Sequence, residues 1–83
     1  MIKLLLVKPL APHQLKLHFS DGAQGVFEGA EYLAARSGPL LEPLRDAAYF
    51  ARCFIECGAL CWPNGLELSA ARLRELTRAT QAA

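Results

Sequence analysis

Trp62-Pro63-Asn64-Gly65 narrows the folds open to this chain more than any other stretch, because its residue types fit a tight turn leading from an apolar strand towards a helix. Pro63 presets φ at the first central position, Asn64 tolerates the bridge or left-handed region, and Gly65 lets the backbone leave in an unusual direction. Asp21-Gly22 and Cys57-Gly58 each stand between strand-like runs and supply residues that accept positive φ. Ahead of the first pair, Leu15, Leu17 and Phe19 alternate with Lys16, His18 and Ser20, which gives one apolar face. The return strand covers Ala23 to Glu28, where Gly25 suggests a bulge or a close backbone approach. A two-residue turn at Cys57-Gly58 sets Ile55 opposite Leu60 and Cys53 opposite Trp62 on one core face, leaving Phe54 and Cys61 to share the other.

Residues 2 to 7 form an apolar run ended by Lys8-Pro9 and read as a short buried strand, with Pro9 and Pro12 bracketing the connection that follows. Ala30 to Arg36 reads as two helical turns stopped by Ser37-Gly38-Pro39, after which Leu40, Leu41 and Leu44 cover the core from an irregular or 3₁₀ segment. Asp46 is placed to N-cap a short helix over Ala47 to Ala51, and Ser69 to cap the last helix. In that last helix Leu73 and Leu76 form a narrow apolar stripe, while Arg72, Arg74, Glu75 and Arg78 face outwards. These readings add up to an α+β fold: a small antiparallel sheet from an N-terminal strand and two hairpins, short helices between them, and a C-terminal helix. One domain spans residues 1–83, with a tail from about 79 to 83 expected to fray.

A chain of 83 residues is near the size where one core becomes marginal, burying only about 60% of its surface. A partner chain would therefore help, and a homodimer through the exposed side of Phe54 and Cys61, or the edge beside it, is the simplest arrangement. The net charge of +1 provides no global field to draw in nucleic acid, an anionic membrane or an acidic substrate. Lys8-Pro9 cuts the N-terminal apolar run far short of a signal peptide or membrane span, so a cytoplasmic location is expected. Three cysteines, an odd number, fit a reducing compartment.

Cys53, Cys57 and Cys61 recur every four residues, but the hairpin sends Cys53 and Cys61 to opposite faces and puts Cys57 at its tip. His13 and His18 complete no second ligand pair, so neither a metal nor a cofactor is expected. Catalysis by Ser or Cys needs a base within reach, whereas Ser20 and Asp21 are turn residues and Ser69 and Asp46 are caps; no enzymatic activity is expected. Arg72, Arg74 and Arg78 form the one basic cluster that phosphates could meet, and Glu75 interrupts it. A small nucleic-acid-binding or regulatory domain using that helix face is the alternative function, with an enzyme built around Arg45 and Trp62 a more distant third. The constellation that stands out joins Arg45, Asp46 and Tyr49 to Trp62 and Asn64 as a candidate partner or ligand surface. Arg45 offers a planar fork and Trp62 an aromatic face with an N–H donor. The competing reading is an internal clamp that holds the Asp46 cap against the Asn64 turn.

Phe19-Ser20-Asp21-Gly22, Leu44-Arg45-Asp46 with Tyr49-Phe50-Ala51, and Trp62-Pro63-Asn64-Gly65-Leu66-Glu67-Leu68, in this order, resemble the small bacterial family known as domain of unknown function 2442. The resemblance runs from Lys3 to about Leu76, with Glu28 and Glu67 where Asp is expected and Ala47 and Ala70 where Pro is common. It implies an α+β domain found alone or ahead of a helix-turn-helix domain, and often encoded beside another small protein in arrangements like toxin–antitoxin pairs. This chain resembles the stand-alone form. The resemblance implies no established activity, and the expected function is a cytoplasmic protein-interaction module, the partner-binding half of a two-protein system, bound to itself or to the product of a neighbouring gene.

Overall fold

The computed structural model describes residues 1–77 and the backbone of residues 80–81. Strands β1 (Leu4–Ala11), β2 (Gln14–Phe19) and β3 (Ala23–Glu28) form an antiparallel meander, and a two-residue strand β7 (Thr80–Gln81) pairs with Ala23 and Gln24 on its far side. A second sheet contains β4 (Phe54–Glu56), β5 (Ala59–Cys61) and β6 (Glu67–Leu68). Helices α1 (Gly29–Ala34), α2 (Ala47–Phe50) and α3 (Ala70–Leu76) and a 3₁₀ turn at Pro43–Arg45 complete the α+β fold. The strands therefore divide between two sheets, bridged where the Leu4 N–H donates to the Gly58 carbonyl at 2.8 Å. Residues 78–79 and 82–83, which include Arg78 and most of the tail expected to fray, lie outside the described residues, while residues 80–81 of that tail pair with β3.

Both predicted hairpins form. Asp21 closes the first by accepting from the Ala23 N–H, and Gly22 follows at φ +88°. The tip of the second consists of Cys57 at φ +53° and Gly58 at φ +78°, with Ile55 opposite Leu60 and Phe54 opposite Cys61, the register that a two-residue turn dictates. Asp46 caps α2 through the Tyr49 N–H, although that helix ends at Phe50, and Ser69 caps α3 through the Arg72 N–H. Leu15, Leu17, Phe19, Ala23 and Phe27 present one buried face of the first sheet to Leu60, Trp62 and Leu68 of the second, with Leu33, Leu44, Phe50 and Leu73 filling the space between.

Two expectations fail at β1. The strand does not stop at Lys8-Pro9 but runs on to Ala11, and the chain reverses at Pro12-His13. Proline is tolerated here because β1 is an edge strand, where its missing N–H costs no ladder bond. Nor is β1 a buried strand: Leu4 alone is buried within it, and Leu5, Leu6 and Leu10 are 63%, 43% and 51% exposed. Pairing with β2 slips by one residue between Leu4 and Leu6 and again between Pro9 and Ala11, so Leu5 and Leu10 are the extra residues of two bulges. Leu40 is likewise exposed, while Leu41 and Leu44 reach the core as expected. The Trp62-Pro63-Asn64-Gly65 turn leads first into β6, and Ser69 then opens α3.

Candidate functional site

Arg45 is anchored to the molecule's own backbone. Its Nη1 donates to the Leu33 carbonyl at 3.0 Å and its Nη2 to the Arg36 carbonyl at 2.8 Å, while Nε meets Glu42 Oε2 at 2.6 Å. The flat guanidinium fork thus ties the last turn of α1, where the Leu33 carbonyl also accepts the Arg36 N–H, to the Arg36 carbonyl just past the helix end. Asn64 makes a parallel attachment: its side-chain amide donates to the Leu40 carbonyl at 2.9 Å, and its Oδ1 accepts from the Leu66 N–H. Arg45 and Asn64 are thus held internally, but they grip the segment from α1 to Leu40, and no hydrogen bond among the described residues ties the Asp46 cap to the Asn64 turn as the clamp reading expected. Asp46 is engaged as the cap, and Tyr49 is half-buried with the Arg52 guanidinium 5.4 Å from its ring centre.

Trp62 departs from the expected surface. It is 2% exposed, stacks obliquely on Phe50, and its indole N–H donates to the Phe50 carbonyl at 2.9 Å. Burying the ring while satisfying its one polar atom makes it a core residue, so no aromatic face is open to a ligand there. A hub that the sequence reading missed is His13, which lies at φ +62°. Its Nε2 donates to the Leu44 carbonyl, its ring packs on Phe50 with centroids 5.0 Å apart, and its own carbonyl accepts the Gly29 N–H at 2.7 Å. A residue two places after Ala11 and directly behind a proline is where a turn requires positive φ, and that was the available signal.

The C-terminal basic cluster is partly neutralised. Arg74 does not face out freely: it pairs with Asp21 at 3.0 Å, and its guanidinium lies over Phe19. The Ala23 N–H and then Arg74 hold the Asp21 carboxyl below the usual carboxylate range. Arg72 remains exposed. Among the cysteines, Cys57 is exposed at its tip, whereas burial pushes the Cys53 thiol up to about 11. Cys61, expected to share an open face with Phe54, is buried; its thiol is pushed up by that burial and by the neighbouring Glu67 carboxylate, whose Oε2 it faces at 3.7 Å. Phe54 is therefore the exposed member of that pair.

The open surface with an ordered pattern lies elsewhere, on the outer face of the first sheet. Because side chains alternate along a strand, the residues opposite the buried Leu15, Leu17 and Phe27 share that face. Register places Leu6, His18 and Gln24 in one row, Lys8, Lys16 and Val26 in the next, and Gln14 beside Glu28 in a third. The Gln14 amide donates to the Glu28 carboxylate at 3.0 Å, which holds that corner. Leu6 and Val26 stay exposed, as do both lysines, and the side-chain Nε2 of the half-buried His18 has no hydrogen-bond partner among the described residues. Past Val26 and Glu28 the surface dips into a groove of about 740 Å³ between β3 and α1, bordered by Glu31, Tyr32 and Arg36. No group of three or more His, Cys, Asp or Glu side chains is placed to hold a metal ion among the described residues, and no described helix is long and apolar enough to cross a membrane.

A family model described as Protein of unknown function (DUF2442) matches residues 6–79, a span that includes the Phe19-Ser20-Asp21-Gly22, Leu44-Arg45-Asp46 and Trp62-Pro63-Asn64-Gly65 motifs. No curated protein and no solved structure matches the chain.

Proposed function

Because the chain belongs to the DUF2442 family, for which no activity is defined, we propose a function from its surface: it is a protein-interaction module, the partner-binding half of a two-protein system, with no chemistry of its own. The observation that carries this reading is the exposure of Leu5, Leu6 and Leu10 along one strand of a small domain. Apolar groups gathered on an open strand gain from contact with another protein, where single scattered ones would need no explanation. The polar residues that first suggested a ligand site support the same reading, since Arg45, Asp46 and Asn64 are engaged with the protein's own backbone. The arginine face of α3 offers less to nucleic acid than its sequence suggests, because Asp21 holds Arg74.

The test is co-expression with the product of the adjacent gene, followed by purification on a tag carried by this chain. We expect the two proteins to elute together, and the combined Leu5→Ser, Leu6→Ser and Leu10→Ser variant to elute alone while keeping the parent's far-ultraviolet circular dichroism. Co-elution undiminished by these substitutions would contradict the proposed surface.

A further inference from the structure

We infer that the outer face of the first sheet takes an amphipathic helix of another protein, with an apolar stripe and carboxylates along its flank. This deepens the reading of the chain as a binding module and rests on it. Lys8 and Lys16 are direct cross-strand partners, and like charges set opposite one another repel. A carboxylate placed between them would remove that repulsion and add charge-assisted hydrogen bonds. Val26 stands directly across from Lys16 in the same row, and Leu6 two residues before Lys8 in the adjoining row, so both supply apolar contact within the same patch. The groove beyond Val26 gives a large side chain of the incoming helix somewhere to go. The border carries Glu28 and Glu31 against the single cation Arg36, whereas Lys8 and Lys16 stand together with no carboxylate opposite them among the described residues, so the acidic flank lies over β1 and β2.

The occupant is a helix because strand addition is obstructed. Pro9 has no N–H to donate from the edge, the bulges at Leu5 and Leu10 break its regular spacing, and Leu4 already bonds to Gly58. A sheet face three strands wide is ordinarily covered by a helix. A second copy of this chain does not provide one among the described residues. The apolar sides of α1, α2 and α3 are already committed to the core through Leu33, Phe50 and Leu73, and α3 carries arginines that would meet Lys8 and Lys16. The partner is therefore a different sequence.

The probe is a synthetic helical peptide of about 18 residues, or five turns, with leucines on one stripe and glutamates along one flank, compared with the same peptide carrying lysines in their place. Fluorescence anisotropy at low salt should show the glutamate peptide binding at least about tenfold more tightly, with the difference shrinking as salt is added. Amide chemical shifts should move at Leu6, Lys8, Lys16 and Val26. The Lys8→Glu/Lys16→Glu variant should reverse the preference, and as both side chains are exposed its fold should survive. Equal binding of the two peptides, no binding of either, tighter binding of a single-stranded DNA oligonucleotide, or shifts centred elsewhere would overturn the inference. If the adjacent gene product still co-purifies in that event, the module reading stands and only the assigned partner chemistry falls.

Discussion

At Arg45 the planar shape of the guanidinium matters more than its charge. Two of its nitrogens reach the Leu33 carbonyl in the last turn of α1 and the Arg36 carbonyl beyond it, a pair that the fork spans in one plane and a lysine does not, and its ion pair with Glu42 is exposed and correspondingly weak. Arg45→Lys keeps the charge and loses the fork, so stability should fall by about 1 kcal/mol in urea unfolding. An unchanged midpoint would show that the fork contributes nothing to the fold and would reopen Arg45 as a ligand contact. Trp62 makes the complementary point. Residue type identified both as able to bond carbonyls, but only the packing around them reveals that the bonds are internal.

Among the elements, α1 shows how a local rule is overridden by what lies against it. Gly29 opens this helix, where alanine would ordinarily be favoured by up to about 1 kcal/mol. Here a Cβ would run into the Phe50 ring and come within 2.9 Å of the His13 carbonyl oxygen. Gly29→Ala should therefore destabilise the protein by about 1 to 3 kcal/mol in thermal or urea unfolding, and a stabilising effect would contradict the packing described. The Cys57-Gly58 hairpin and the caps at Asp46 and Ser69 were legible in the sequence because each depends on residues next to one another in the chain. The character of β1 was not. A run of leucines looks the same whether it lies inside a sheet or along its edge, and Pro9 ends a central strand but not an outer one. The outer sheet face escaped the sequence for a related reason, since the row of Lys8, Lys16 and Val26 exists only once three strands are in register.

For the whole molecule, one side of the first sheet faces the core and carries its largest apolar residues, while the other faces outwards with leucine, valine and two lysines. A sheet with one solvated face is ordinary for an antiparallel arrangement, but a polar surface is the usual outcome there. In this protein the outward face and its bulged edge keep Leu5, Leu6, Leu10 and Val26 exposed. That asymmetry, together with polar side chains engaged in internal attachments, is what supports the binding role proposed for the chain. Site-specific photocrosslinking in the source cells tests it most directly, with benzoylphenylalanine replacing Leu6 on the open sheet face or Arg72 on the exposed side of α3. The account predicts one dominant adduct with another protein from the Leu6 position and none from Arg72. Adducts of equal yield from both positions, or from Arg72 alone, would contradict it.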